Sequence, residues 1–477
     1  MRKLTGRLNR KWFWLTAIAV VLIIWGLTDI RRRAETNPDY PAGHRSDFTV
    51  YTAAGAAMFD DRDPYDVTNV RGWHYLYPPL FAILVAPLAK LDSQWQGVIW
   101  YIISLLTAWG CFVESRRIWY RLPPCRQNSS PEQHSNLPEQ AINQRFHNMP
   151  TYIFWLGGAT VLLPALNCLQ RGQVGILLTY LLLLGFRYTI TSRTGWGMFL
   201  GGIILALPVA IKIIPALPVG FLCLFLLMAA VKRRWTAVAT TRSLAASLGV
   251  IAGLLLYLIV IPSLTIGPSA NVKHLNTWFN DVLINDQGKS DDDLSVHTLR
   301  NQSLYNAVYC LGNWTAHVIY GARTDHSTGN LANHEAEMPM DNIWTKWILR
   351  LIQLGLLALL LKAGWTVAKN DDLLETAIVF SLACLLMSAI SPVFRGHYYV
   401  LWLPAALFVP IKCWRTGQAN LGAALAFIGC GLVWIHYLLL PFAGRVGALG
   451  LGATVWYVIA VTTVIRQGNR VTVAIDG

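Results

Sequence analysis

The chain has 477 residues, 54% hydrophobic and only 13% charged, with a formal net charge of +14 and a positive mean hydropathy. A soluble domain carries about a quarter charged residues, so the deficit and the long apolar runs place the protein in a bilayer and exclude an ordinary soluble enzyme. The basic excess then describes membrane orientation and argues against a nucleic-acid partner. The eight cysteines have no metal-ligand spacing. Cys168, Cys223, Cys384 and Cys430 lie in or beside apolar runs and read as buried small hydrophobes. No Walker, Rossmann or zinc-ligand pattern is present. That moves ATP-driven transport and nucleotide-sugar chemistry of the soluble type out of the front rank.

Taken in chain order, a basic N-terminus, MRKLTGRLNRK, leads into an apolar segment from Trp12 to about Ile30 with no small-residue cleavage site behind it. It reads as an uncleaved anchor with a cytoplasmic N-terminus. Windows of roughly 17–25 apolar residues give about twelve spans. They fall near 12–30, 95–113, 150–167, 173–190, 196–211, 213–231, 243–262, 344–361, 373–390, 397–411, 420–440 and 447–465. The run from Gly195 to Val231 is too long for one span and is split at Lys212, where Pro208, Pro215 and Pro218 interrupt it. Leu76–Leu91 is short and holds three prolines, and it reads as an interfacial or re-entrant helix.

This parity gathers the basic tracts Arg116–Arg126, Lys232–Arg234 and Lys412–Arg415 on the cytoplasmic side, with Arg31–Arg33 as the exception. Two long extracytoplasmic loops are expected, at about 31–75 and 262–342. The second holds an amphipathic helix over Asn271–Ile284 and the polar tract Asp286–Asp293. A loop at about 123–150, rich in Pro, Gln, Asn and Ser, is expected to be cytoplasmic and disordered. The whole, 1–477, reads as one all-α polytopic membrane domain.

The same parity puts Asp47, Gln173, Lys212, Asn301-Gln302-Ser303 and Ser391–His397 on the extracytoplasmic face. Asp47 follows the first apolar segment and precedes the stiff Tyr77-Pro78-Pro79 run. An acid so placed suits activation of a hydroxyl beside a lipid-borne substrate; alternatively it is a solvated loop acid like Asp60, Asp61, Asp63 and Asp66. Lys212 sits in the apolar stretch AIKIIP. A charge there costs about 2.5–3.5 kcal/mol at a helix centre, so it either meets a lipid phosphate or snorkels to the interface. Arg395 and His397, on a short turn between spans, either neutralise a departing phosphate or, for Arg395, anchor a helix to headgroups. Arg171 is a weaker candidate of the same kind. Tyr51, Tyr65, His74, Tyr75 and Tyr77 either stack on an acceptor sugar or form an interfacial belt. Asn301-Gln302-Ser303 reads first as the cap of a helix starting near Leu304, and Asp291-Asp292-Asp293 as a solvated patch, not a metal site.

Several segments resemble glycosyltransferase family 87, polyprenyl-phosphate-sugar-dependent transferases that include mannosyl- and arabinofuranosyltransferases. The matching pieces are SDFTVYTAAGAAMF with DPYD and YPPLFAILVAPLA, then RGQVGILLTYLLLLGF, AIKIIPALPV, NQSLYNAV and SPVFRGHYYVLWLPAAL. They run in the family's order from residue 46 to about 406. The resemblance implies a GT-C fold, an extracytoplasmic active site, an inverting reaction and no metal or other cofactor. It implies that Asp47 is the catalytic base and that His397 is the direct contact to the donor phosphate, with Lys212 and Arg395 expected beside it on the charge argument above. It also implies binding roles for Gln173, Asn301 and Gln302 towards sugar or acceptor, while His74 and Tyr77 are acceptor-side candidates on their aromatic character alone.

The expected function is transfer of a hexose, mannose first, from a polyprenyl phosphate to a glycolipid or glycan, in the cell's inner (plasma) membrane. An arabinofuranosyl donor is the nearest alternative, and a secondary transporter or lipid flippase the alternative from another class. Transporters place Gly/Pro-broken helices at the midplane. Lys212 and its prolines have that look, whereas most other polar candidates lie in loops.

Overall fold

The computed structural model describes residues 2–34, 44–70, 72–121, 151–284, 301–308, 343–370, 372–439, 443 and 447–476. The acidic run Asp291–Asp293 and the loop at 123–150 lie outside them. Apolar runs too long for a strand give helices throughout, because the only way to satisfy a backbone inside lipid without a closed barrel is i to i−4 bonding. In chain order these are α1 (Arg2–Ala34), α2 (Phe48–Phe59), α3 (Pro79–Val85), α4 (Ser93–Tyr120), α5 (Thr151–Arg171) and α6 (Gly175–Thr191). Then come α7 (Gly195–Ile211), α8 (Ala216–Lys232), α9 (Ala237–Leu254), α10 (Ile261–Ile266) and α11 (Pro268–Thr277). The last are α12 (Ile343–Val367), α13 (Leu373–Ile390), α14 (Leu403–Arg415), α15 (Ala419–Leu438) and α16 (Ala448–Asp476). Among the described residues there is no strand, only isolated bridges pairing Thr68 with His74 and Asn301 with Arg395. The protein is an all-α polytopic membrane protein.

Seven helices among the described residues are long and apolar enough to cross a membrane. They coincide with the spans expected near 95–113, 150–167, 243–262, 344–361, 373–390, 420–440 and 447–465. The split at Lys212 is present: α7 and α8 are separate 17-residue helices, as is α6. The segment near 397–411 differs from the regular span expected, since Gly396–Trp402 is a 3-10 helix and the α-helix begins only at Leu403. Pro404 sits in the first turn of α14, where its missing N–H costs nothing but fixes the start. The Leu76–Leu91 segment becomes α3 and a 3-10 turn, Ala86–Lys90. At 1.5 Å per residue in the α-helix and about 2.0 Å in the 3-10 turn it rises about 20 Å, short of the roughly 30 Å hydrocarbon core. The amphipathic stretch Asn271–Ile284 is helical, as α11 followed by a π-helical segment, Trp278–Ile284.

The chain divides into two compact units. The first comprises Met1–Trp109, Leu166–Val174 and Leu258–Ser290. In it α3 packs against α2, and α10 and α11 pack against α3. The second comprises Gly110–Ala165, Gly175–Tyr257 and Asp291–Gly477. Its centre is α13, with 89% of its apolar window buried against 22–61% for the other long helices, and α8, α12, α14 and α16 pack around it. The α7–α9 contact is backbone on backbone. A Cβ on Gly202 would lie 2.2 Å from the Ala246 carbonyl oxygen, and one on Gly249 2.1 Å from that of Phe199, the close approach small residues permit between membrane helices. Two buried acids in this unit are paired: Glu114 accepts from Arg187 and, at 2.7 Å, from Arg117, while Glu375 meets Lys412. Cys168 and Cys384 are buried as expected, but Cys223 and Cys430 are half-buried.

Candidate active site

Two polar clusters are built from the residues that sequence reasoning singled out, one within each unit. The first is made where the start of α2 meets the turn after α5. Asp47 precedes the first residue of α2, and its amide donates to the Arg171 carbonyl at 2.9 Å. Its side chain makes no capping bond to the helix. Instead the Gln173 amide donates to Asp47 Oδ2 at 2.5 Å. Asp47 is 2% exposed and Gln173 4%, so the solvated-acid reading does not hold for Asp47, although it does for Asp60 and Asp61. Burying a carboxylate is costly unless hydrogen bonds compensate it, and Gln173 supplies one from 126 residues away.

Gly172 makes this turn possible. Its φ is +72°, and a Cβ there would stand 2.9 Å from the Phe48 Cβ, so both conformation and space require glycine. The Phe48 ring stacks on Trp100 with centroids 4.6 Å apart. Behind Asp47, His44 bonds the Ile30 carbonyl through Nε2 and Ser46 Oγ through Nδ1, both at 3.0 Å. Burial holds the His44 pKa below its usual value, against the opposing pull of the Ile30 carbonyl, and nearby Arg33 lowers it further.

Aromatic side chains close the cluster. The Tyr51 and Tyr77 hydroxyls bond each other at 3.0 Å, and both approach Gln173 Oε1, at 3.4 and 3.5 Å. The Tyr75 hydroxyl donates to the Pro78 carbonyl at 2.7 Å and accepts from the Ala82 amide at 3.0 Å. This ties the Tyr-Pro-Pro run to α3. Tyr65 donates to the Tyr77 carbonyl at 3.2 Å, and His74 Nδ1 lies 3.2 Å from the Tyr65 carbonyl. Tyr51, Tyr65, Tyr75 and Tyr77 are all buried, so none of the four faces lipid and none presents an open ring face to a sugar. Burial pushes the Tyr65 and Tyr75 phenols upward, so they act as neutral hydrogen-bonding groups, not bases. The Arg171 guanidinium lies 5.8 Å from the Trp73 ring centroid.

The second cluster is built on the Ser391–His397 turn. Asn301 Nδ2 donates to the Pro392 carbonyl at 2.9 Å, and its Oδ1 accepts from the Phe394 and Ser303 amides at 2.9 and 3.1 Å. The Gln302 amide donates to the Phe394 carbonyl at 2.8 Å, and the Tyr399 hydroxyl to the Gln302 carbonyl at 2.8 Å. Ser303 Oγ accepts from the Asn306 amide at 3.2 Å, the capping role expected for this run at the start of helix 304–308. The Asn-Gln-Ser run thus clamps the turn that carries Arg395 and His397. Lys212, in extended conformation at the end of α7, hydrogen-bonds the Tyr398 hydroxyl, with its Nζ 4.2 Å from that ring's centroid. His397 is 3% exposed and its ring is 4.2 Å from that of Tyr398.

Asp47, Gln173, His74 and Tyr77 therefore belong to the first unit, and Lys212, Asn301, Gln302, Arg395 and His397 to the second. Sequence reasoning missed Tyr398, the partner of Lys212. It also missed His436, buried with its Nε2 3.1 Å from where a Cβ on Gly396 would be, and Trp100. Each is one aromatic in an apolar run, with no local signal to separate it from a packing residue.

Chemically, the first cluster offers a buried carboxylate oriented by an amide and walled by neutral aromatics, suited to taking a proton from a hydroxyl. The second offers an ammonium, a guanidinium and an imidazole, suited to an anionic oxygen. No curated protein and no solved structure matches the chain. The profile of glycosyltransferase family 87 matches it over residues 75–392, from Tyr75 in the Tyr-Pro-Pro region to Pro392 in the clamped turn. On that match, which spans well over half of its length, the chain belongs to glycosyltransferase family 87.

Proposed function

We propose that this membrane glycosyltransferase moves a hexose, mannose first among them, from a polyprenyl-phosphate donor to a glycolipid or glycan acceptor on the extracytoplasmic face of the inner membrane, within a GT-C architecture. Asp47 takes the proton of the acceptor hydroxyl. That oxygen attacks the anomeric carbon from the side opposite phosphate, the new C–O bond forms as the bond to the phosphate oxygen breaks, and the configuration inverts. Polyprenyl phosphate departs with the electron pair. Phosphate leaves readily without an acid, so one carboxylate suffices where a hydrolase uses two. Lys212, Arg395 and His397 offset the charge that accumulates on phosphate, the kind of stabilisation that contributes most in a low-dielectric site.

The observation that carries this reading is the buried Asp47 carboxylate held by Gln173 in a chain of this family. The test is purified Asp47→Asn with a labelled polyprenyl-phosphate hexose and membrane lipid extract. Transfer is expected to vanish while the protein still inserts and melts as the wild type does; retained transfer removes Asp47 from the reaction.

A further inference from the structure

The turn that carries Arg395 and His397 is held from a second side, by α15. A Cβ on Gly396, the residue between them, would stand 3.1 Å from His436 Nε2 and 3.2 Å from Tyr437 Oη. His436 is buried, and its ring meets that of Tyr437 edge-on with centroids 5.2 Å apart. At the other end of the 3-10 helix, Gly429 of α15 faces Trp402, with its Cβ position 3.6 Å from the indole. The two contacts are seven residues apart on α15 and six on the 3-10 helix, in reversed order. At 1.5 and about 2.0 Å per residue, those spacings are about 10.5 and 12 Å. The two helices therefore lie antiparallel and in step, and α15 meets Gly396–Trp402 at both ends.

α15 is itself fixed. Trp434 donates to the Ala159 carbonyl at 2.9 Å, and the Leu425 carbonyl accepts from Trp456 at 2.8 Å. A side chain at 396 would come closer to His436 and Tyr437 than the about 3.5–4.0 Å of a settled contact, so glycine alone fits there with both partners in place. Asn301 and Gln302 hold Pro392 and Phe394, upstream of Arg395; α15 meets the turn one residue beyond it. The backbone at 396 sets the directions in which the guanidinium of Arg395 and the imidazole of His397 leave the turn. A close-packed interior passes a shift of its neighbours on to that backbone without absorbing it.

We propose that His436 and Tyr437 are positioning residues for the donor phosphate: by occupying the space of a side chain on Gly396 they set where Arg395 and His397 stand. The proposal rests on the reading of that turn as the phosphate site. The test titrates labelled polyprenyl-phosphate hexose and membrane lipid extract in turn. It uses full-length wild type, Gly396→Ala, His436→Ala, His436→Gln, the double variant Gly396→Ala/His436→Ala, and His397→Ala. A displacement of a few tenths of an ångström, against about a hundredfold per ångström, gives a loss of about four- to tenfold at limiting donor for Gly396→Ala and for His436→Ala. The amount of extract giving half-maximal rate should stay as in wild type. His436→Gln, which returns a polar nitrogen to the same place, should recover most of the loss. The double variant should lose less than the product of the two single losses, since the added Cβ then has room. Where His436→Ala does not fold, Gly396→Ala and His436→Gln decide alone. A loss shared equally by donor and acceptor titrations, in step with a fallen melting temperature, marks a purely structural role and overturns the positioning. Unchanged donor titrations in the single variants, or losses that simply multiply in the double variant, overturn it too. In each of these cases a raised donor requirement in His397→Ala leaves the phosphate reading standing. An unchanged donor requirement in His397→Ala overturns that reading, and the positioning with it.

Discussion

Replacing Gln173 with leucine removes the amide that donates to Asp47 and keeps most of the side-chain volume. A hydrogen bond to a charged group is worth about 1.5–3 kcal/mol. Without it the carboxylate loses a contact that orients it, and a misplacement of about 1 Å costs on the order of a hundredfold. On the proposed role of Asp47, the maximal transfer rate of Gln173→Leu is expected to fall at least about tenfold. Tyr51 and Tyr77 add little to this loss. Their distances to Gln173 Oε1, 3.4 and 3.5 Å, are long, and they keep each other at 3.0 Å. Initial rates with labelled donor, beside thermal melting in detergent, separate lost activity from lost fold. A rate within twofold of wild type, with Asp47→Asn inactive, would falsify the claim that Gln173 aims the base.

Lys212→Met and Tyr398→Phe should each raise the half-saturating donor concentration several-fold, since one removes the ammonium and the other its hydroxyl partner; identical donor titrations would speak against phosphate binding there. Gly172→Ala meets both a left-handed backbone and the Phe48 Cβ at 2.9 Å, so a loss of about 1–3 kcal/mol of stability is expected, read as a lower melting temperature with transfer reduced; an unperturbed variant would show that the turn is not tight. For His44, whose folded pKa lies below the usual 6.5, the unfolded chain takes up a proton first as the pH falls through 6.5. Stability is therefore fully present above that value and declines below it. His44→Gln should flatten the decline in melting temperature between about pH 7.5 and 5.5, and an equally steep decline in the variant would refute the assignment.

The apolar spans were legible because twenty-odd apolar residues have few alternatives to a membrane helix, and Pro208, Pro215 and Pro218 marked the break at Lys212 for the same local reason. The 3-10 start of the segment at Gly396 was not legible. It depends on Asn301 and Gln302 holding Pro392 and Phe394 from 91 and 92 residues away in sequence. Asp47 could be picked out by its place before the Tyr-Pro-Pro run, and Gln173 through a family pattern, but nothing local joins them; their bond is a tertiary fact. Asn271 and His274, both buried, were inside a stretch read as amphipathic. Amphipathicity alone says which residues differ, and in a membrane protein not which of them face inward.

The placement of Asp47 by its main chain, with its amide on the Arg171 carbonyl and its neighbour's ring on Trp100, has a practical corollary. Swapping the carboxylate for a carboxamide keeps both of those main-chain and ring contacts. On the proposed function such a protein is a silent receptor, expected to load donor and acceptor without joining them, and so a vehicle for capturing the loaded complex intact.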